Sequence, residues 1–160
     1  FALTIDFPDT PTAKELYSRL AANLSDIDIK VTLNGLDQEK FFEAIVAKQT
    51  SAYFLGYSPD TKDASEVLEG LIHTPSEVYG QYNLGYSNTA LDKEIEDASK
   101  TLNQQVRQQK VQAAMKTAMD DYAKIPLFQY AFNYALSSKI DWKPRLDGMF
   151  RMYEMAGKSE

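Results

Sequence analysis

The sequence predicts an α/β fold that opens with a β-α-β-α-β series and continues into a mixed sheet with flanking helices. Two observations predict it. Residues 1–56 alternate between the period-two spacing of strands and the longer spacing of amphipathic helices. Turn-forming residues, first in 8–11 and then at Asn34-Gly35, separate these segments. This order predicts parallel strands joined by right-handed crossovers.

The first strand and helix are predicted in residues 1–24. Residues 1–7 alternate apolar side chains with small or polar ones, as a half-buried strand does. Thr10 is placed to cap a helix whose first position is Pro11, where the missing N–H costs nothing. The apolar stripe of this helix consists of Leu16, Tyr17, Leu20, Ala21 and Leu24.

The second strand and helix follow in residues 27–46. Residues 27–33 alternate apolar and polar side chains, which predicts a strand with one wet face, and Asn34-Gly35 predicts a turn after it. Asp37 is expected to cap a helix that buries Phe41, Phe42, Ile45 and Val46. Residues 52–55 form a short continuous apolar run that indicates a third, buried strand.

The second half is predicted to be mainly helical. Asp63 with Glu66 matches a capping box for a short helix. Residues 73–88 form a long, aromatic-rich connection, and loops of this length are often functional. Asn88 is expected to cap the next helix, whose apolar residues are Leu91, Ile95, Ala98 and Leu102.

A longer helix with Val111, Met115, Ala118 and Tyr122 inward is expected to end before Ile125-Pro126. Residues 128–136 then alternate large apolar side chains with smaller or polar ones, which predicts a strand.

Composition indicates a single globular domain and excludes several function classes. The chain has 160 residues, 44% hydrophobic and 25% charged, which suits one domain spanning residues 1–160. The net charge of −6, without any basic block, argues against nucleic acid or an anionic membrane as a partner. Because the chain starts directly on a predicted strand, we expect it to be a fragment of a longer protein.

No residue pattern predicts catalysis, a metal or a cofactor. The only histidine is His73, there is no Gly-x-Ser-x-Gly elbow, and cysteine is absent. The charged residues 93–97 are typical of a solvated helix face with local ion pairs. We therefore expect His73 to serve a structural role and the protein not to be an enzyme.

Four stretches carry a resemblance to a known family. They are 27–31 ahead of Asp37 and Phe41-Phe42, residues 54–60, Gly85-Tyr86-Ser87-Asn88 ahead of Leu91-Asp92, and Arg107 followed by 124–128. In this order they resemble the C-terminal lobe of the family 5 bacterial solute-binding proteins, the peptide- and oligopeptide-binding group. Within 54–60 the family's Gly-Trp-x-x-Asp motif has Tyr57 in place of the tryptophan.

The resemblance implies the periplasmic-binding-protein-like fold and the substrate-binding component of an ABC-type importer. Family members hold a peptide or another small solute in a cleft between two lobes, which close over it by hinge motion. The implied partners are that solute, the transporter's permease subunits and an N-terminal lobe of the same protein. The implied location is extracytoplasmic, either periplasmic or as a lipoprotein at the cell surface.

The resemblance also implies a binding site. Asp60 occupies the position where peptide-binding relatives hold the α-ammonium of the ligand. Gly56 would let the ligand backbone come close, Tyr57 would line the pocket, and Ser58 lies in the same loop. Two further candidates, Tyr82 and Asn83, lie in a loop expected to border the same cleft.

Other interpretations of these residues stay open. Asp60 after Pro59 also suits an ordinary turn. Tyrosine in place of tryptophan leaves the ligand class open, since some relatives bind nickel chelates, sugars or opines. The same fold could be the sensor of a transcriptional regulator. A small hydrolase using Ser58, or Asp60 with Asp63, is a third hypothesis, although no base is matched to it.

Overall fold

The computed structural model describes residues 1–158. Its elements, in chain order, are β1 (Ala2–Pro8), α1 (Pro11–Ser25), β2 (Lys30–Leu36), α2 (Gln38–Val46), α3 (Ser65–Val67) continuing into a π-helical turn (Leu68–Ile72), α4 (Thr89–Ser99), α5 (Gln104–Asp120), β3 (Ile140–Asp141), a 3₁₀ turn (Met152–Glu154) and β4 (Ala156–Gly157).

The opening of the chain follows the predicted order, with a very short third strand. β1 and β2 pair in parallel, from Ala2 opposite Lys30 to Pro8 opposite Leu36. The predicted third strand adds only one parallel bridge, between Asp6 and Tyr53. The α/β class is therefore confirmed. The single mixed sheet is not formed, because the described strands make one parallel and one antiparallel pair.

The turn predicted at Asn34-Gly35 is wrong, because both residues belong to β2. The Asn34 amide donates a 2.7 Å hydrogen bond to the Asp6 carboxylate on β1. Gly35 lies opposite Phe7, and a Cβ there would approach the Phe7 ring to 3.4 Å. The pair thus fits the strand: the asparagine makes a cross-strand bond and the glycine leaves room for an aromatic ring.

Helix caps hold the predicted helices in place. Thr10 accepts from the N–H of Ala13, Asp37 from that of Lys40, and Asn88 from those of Ala90 and Leu91. Each cap satisfies donors that the first turn of a helix leaves without a partner. The three predicted helix starts are confirmed.

Two separate clusters of buried side chains form the core. Ile5, Phe7 and Tyr17 join β1 to α1, with the Phe7 and Tyr17 rings stacked 4.5 Å apart. A larger cluster joins the α3 region to α4 and α5, and it comprises Leu68, Ile72, Leu91, Ile95, Ala98, Val111, Ala114 and Ala118.

The strand predicted over residues 128–136 is also wrong. The segment is not helical, but its backbone makes no hydrogen bond with another part of residues 1–158. Alternating side chains predict an extended backbone, whereas a strand also needs a neighbour to pair with. The large side chains of Phe128, Tyr130 and Phe132 are consequently exposed.

No helix within residues 1–158 has the length and apolar character needed to span a bilayer.

Candidate functional site

A groove opens where β1, β2 and the short third strand end. Its volume is about 300 Å³. The first turns of α1 and α2, both fixed by their caps, form two of its sides. The lining residues are Pro8, Thr10, Thr12, Ala13, Leu16, Tyr17, Gln38, Phe41, Phe42, Phe54, Leu55, Gly56 and Tyr130. This is the sheet edge where parallel α/β folds place ligands.

Aromatic side chains form the floor of the groove. Tyr17 is buried, and its hydroxyl donates a 3.1 Å hydrogen bond to the carbonyl of Phe54. Burial raises the pKa of Tyr17, so the phenol stays neutral. Phe41, on α2, is buried, whereas the side chain of its neighbour Phe42 is only half-buried.

Of the six predicted site residues, only Gly56 lines this groove. A Cβ on Gly56 would lie 3.6 Å from a ring carbon of Tyr130. Such a Cβ would be in van der Waals contact with the ring, so a residue larger than alanine at this position would press on Tyr130.

Asp60 lies in an exposed loop next to the groove-lining segment. Glu66 holds this loop, because its carboxylate accepts from the N–H groups of Asp60 (2.9 Å) and Thr61 (2.8 Å), and from the Thr61 hydroxyl. Within the described part of the chain, the side chain of Asp60 itself has no hydrogen bond and no ion pair. The backbone is fixed while the carboxylate remains free to bind a cation.

Asp63, by contrast, is already paired. Its carboxylate contacts the Arg107 guanidinium at 2.5 Å, and a second guanidinium nitrogen donates to the Ser65 hydroxyl at 2.9 Å. Asp63 also accepts from the N–H of Ser65. The hydrogen bond from Arg107 is the main cause that lowers the pKa of Asp63 to about 2. Asp63 therefore cannot act with Asp60 as a pair of free carboxyls.

The predicted capping box does not form. The N-cap of α3 is Ala64, which makes no side-chain cap. Asp63 accepts from the N–H of Ser65, and Glu66 reaches the N–H groups of Asp60 and Thr61 instead of the N–H of Asp63. The sequence motif is present, and the glutamate in it stabilises the candidate binding loop.

Tyr57 and Tyr82 connect the Asp60 loop to the groove. The Tyr57 ring lies edge-on to Tyr82 at 6.4 Å, and Tyr82 lies edge-on to Phe42 at the same distance. The carbonyl of Tyr82 accepts a hydrogen bond from the Tyr53 hydroxyl. Ser58, in the same loop as Tyr57, accepts a 2.9 Å hydrogen bond from the Lys62 ammonium group.

The prediction for Asn83 needs correction, because its side chain is structural. Asn83 is 1% exposed. Its amide nitrogen donates to the carbonyls of Ile72, His73 and Tyr86, and its oxygen accepts from the N–H groups of Gly85 and Tyr86. These bonds use the amide fully. Asn83 holds the aromatic-rich loop and has nothing left for a ligand.

His73 is buried in the same loop. Its Nδ1 lies 2.8 Å from the Thr74 carbonyl, and its ring lies 4.3 Å from that of Tyr79. Residues 1–158 contain no group of three side chains arranged to hold a metal ion. The contacts with Thr74 and Tyr79 show that the ring packs within the loop.

Most groove-lining residues, including Phe42, Phe54 and Tyr130, are not predicted as site residues by the sequence. Phe42 was assigned to the buried face of its helix together with Phe41. The side chains of two adjacent helical residues point about 100° apart, so they cannot both face one narrow core. This angle indicates from the sequence that one of the two phenylalanines lies outside the core. Tyr130 gave no such signal, because its place in the groove depends on how an unpaired segment crosses the fold.

Comparison with known proteins identifies solved structures that share the fold of this chain. No protein-family model matches the sequence, and no match is found among curated proteins. A solved peptide-binding protein of a peptide ABC transporter has 24% identity and a TM-score of 0.68, over 76% of this chain and 54% of its own. HbpA2 from Haemophilus parasuis has 16% identity and a TM-score of 0.83, over 99% and 32%.

A third solved structure is the periplasmic binding protein DppA from Helicobacter pylori in complex with the peptide STSA. It has 18% identity and a TM-score of 0.67, over 77% of this chain and 24% of its own. The chain thus spans between about a quarter and about half of the length of these three structures. It has the fold seen in the periplasmic solute-binding proteins of ABC transporters.

Proposed function

We propose that this chain is the ligand-binding lobe of a solute-binding protein that serves an ABC-type importer, and that Asp60 binds the amino-terminal ammonium group of a peptide. We also propose that it is not an enzyme. One observation carries the proposal: a carboxylate without a partner among residues 1–158 lies in a loop fixed by Glu66, beside an aromatic groove.

The free carboxylate suits a cationic terminus. A hydrogen bond between charged groups contributes about 1.5–3 kcal/mol. If a second lobe covers the site, water is excluded and the loss of either partner costs about 2–5 kcal/mol. Asp63, only three residues away, cannot take this role because Arg107 occupies it.

The residues around Asp60 fit an extended ligand. Gly56 carries no side chain, so a peptide backbone can approach the sheet edge there. An extended peptide can bond to exposed main-chain groups as an added strand, which fixes the ligand's backbone independently of its side chains. Tyr57 and Tyr82 then contact the ligand between Asp60 and the groove.

Two of the solved structures support a peptide, among small solutes, as the ligand of this chain. One is named a peptide-binding protein, and DppA holds a peptide. The partial coverage of those chains supports a second lobe as the other wall of the cleft. The proposed partners are thus that lobe and the permease subunits. The proposed location is extracytoplasmic, either periplasmic or as a lipid-anchored protein at the cell surface.

The test is titration calorimetry on the intact parent protein with one peptide in two forms, with a free and with an acetylated amino terminus. We expect the free form to bind at least about 30-fold more tightly, which corresponds to about 2 kcal/mol. Asp60→Asn should remove this difference. Asp26→Asn, at the exposed end of α1, is the matched control.

Equal affinity for both forms would overturn ammonium recognition. Unchanged affinity in Asp60→Asn would remove Asp60 from the site. Mass spectrometry of the recovered peptide checks the non-enzymatic assignment, for which the peptide should remain intact.

A further inference from the structure

The groove beside Gly56 offers its occupant few polar partners. The hydroxyl of Tyr17 is used by the Phe54 carbonyl, and the hydroxyl oxygen of Thr10 accepts from the N–H of Ala13. Most of the remaining lining is carbon from aromatic and aliphatic side chains. Among the other lining residues, Thr12, Gln38 and Tyr130 carry polar side-chain atoms. A polar group entering this space would lose most of its water for few hydrogen bonds, so the groove favours an apolar occupant.

One wall of the groove comes from Tyr130. This residue is 56% exposed and belongs to the extended segment that makes no strand pairing. Its ring lies edge-on to Phe128 at 5.0 Å, and Phe128 stacks on Phe54 at 5.8 Å. Inside the described range the Tyr130 hydroxyl makes no hydrogen bond. Aromatic packing alone positions the ring across from Gly56.

A second depression, with a volume of about 230 Å³, lies on the other side of the Tyr130 ring. Thr12, Leu16 and Tyr130 line both spaces and therefore form the boundary between them. Beyond the boundary lie Phe128 and the ion-paired side chains of Glu15 and Arg19. Of the boundary residues, Tyr130 has the largest side chain, so its truncation would enlarge the groove most.

The groove is within reach of a peptide held at Asp60. Gly56 and Asp60 are four residues apart, so their Cα atoms are separated by at most about 14 Å. An extended ligand rises about 3.3 Å per residue. One of the first few residues of the peptide would thus lie beside Gly56.

We propose that the groove binds an apolar side chain of the peptide and that Tyr130 sets the upper limit on its size. The proposal rests on the proposed function and adds the ligand class: peptides with an aliphatic or aromatic residue near the amino terminus. Tyr130 is the residue that determines specificity, and Gly56 leaves room for its ring.

The experiment measures affinities of the intact parent protein for four-residue peptides that carry Ala, Leu, Phe or Trp at each position in turn. At one position, Leu or Phe should bind about 10-fold or more tightly than Ala, the effect of burying a larger apolar side chain. Tyr130→Ala should improve binding of the Trp peptide relative to the Leu peptide by about 10-fold.

Tyr130→Phe is the matched control and should leave the ranking unchanged, because the hydroxyl makes no hydrogen bond within residues 1–158. Gly56→Val adds a side chain against the Tyr130 ring and reduces the space beside it, so it should weaken the Phe peptide more than the Ala peptide. Thermal melting checks that each variant is folded.

The outcomes separate this proposal from the proposed function. Peptide binding with no preference among Ala, Leu and Phe at any position overturns the groove proposal alone. An unchanged ranking in both Tyr130→Ala and Gly56→Val does the same. Asp60→Asn should weaken all peptides by a similar factor and preserve their ranking, and complete absence of peptide binding overturns both proposals.

Discussion

Residues 122–158 contain a higher proportion of large apolar side chains than residues 65–121, yet they bury fewer of them. In the first region α3, α4 and α5 enclose a core in which Leu91 is 0% exposed. In the second region Phe132 is 74% exposed and Leu146 is 92% exposed. The comparison shows that apolar patterning leads to burial only where a second layer faces it.

Hydrogen bonding differs in the same way. In the helical region Asn83 bonds to two separate stretches of backbone, and Arg107 joins α5 to the loop before α3. In the later region Arg145 contacts Asp147 and Glu154, which lie within ten residues of it. The side-chain hydrogen bonds and ion pairs of the helical region thus link distant segments, whereas those of the later region are local.

The largest expected effect is that of Asn83→Ala. It leaves several buried carbonyl and N–H groups without partners, each costing about 1–3 kcal/mol unless water enters. We expect the free energy of unfolding to fall by about 4 kcal/mol, measured by urea denaturation. Asn133→Ala, an exposed asparagine in the later region, should change it by less than about 0.5 kcal/mol. Similar losses in both variants would remove the contrast between the regions.

Leu91→Ala should have the next largest effect. It opens a cavity among helices that enclose the side chain completely, and such substitutions cost about 2–5 kcal/mol. Leu146→Ala is the matched control, with little change expected because the side chain is already in water. The midpoint of urea denaturation should fall clearly in the first variant only. A tolerated Leu91→Ala would mean that the helical core is loosely packed.

The helices throughout the chain were also easier to predict from sequence than residues 122–158. Thr10, Asp37 and Asn88 cap helices as predicted, because a cap depends on residues three or four positions away. Leu91, Ile95 and Ala98 are buried as expected, whereas Leu102, predicted on the same stripe, lies beyond the end of α4 and is fully exposed. Local chemistry and helical period were sufficient for these elements.

Features that depend on distant segments were predicted less well. Asn34-Gly35 is a common turn signal, but its role depends on Asp6 and Phe7 in the neighbouring strand. Residues 128–136 have the period of a strand but no pairing partner among residues 1–158. For the site, the loop of Asp60 could be found from a motif, whereas the groove required three segments to converge beside Tyr130.

A smaller effect is expected from Arg107→Gln. The ion pair with Asp63 is about one third exposed, so we expect a loss of about 1 kcal/mol at pH 7. The lowered pKa of Asp63, about 2 against 3.8 for a free aspartate, stabilises the fold above about pH 4. This stabilisation is lost as the pH falls from about 4 to 2.

The measurement is the urea midpoint at several pH values between 7 and 2. Arg107→Gln should flatten most of the acid dependence between pH 4 and 2, because the variant loses the main cause of the lowered pKa of Asp63 and keeps only the bonds from Ser65. Arg19→Gln removes a fully solvated pair with Glu15 and should leave both the midpoint and its pH dependence unchanged. An identical acid profile in Arg107→Gln and the wild type would show that the pair between α5 and the α3 loop contributes nothing.

The smallest effect is expected from Phe132→Ala, which tests the later region directly. In the 160-residue chain the free energy of unfolding should change by less than about 0.5 kcal/mol, since the ring is mostly in water. Phe41→Ala, at a buried ring, should cost about 3–5 kcal/mol in the same assay. A loss above about 1 kcal/mol for Phe132→Ala would show that residues 128–136 pack against a partner in solution. Such a partner could also cover the neighbouring Tyr130, which would make the size limit of the groove depend on that contact.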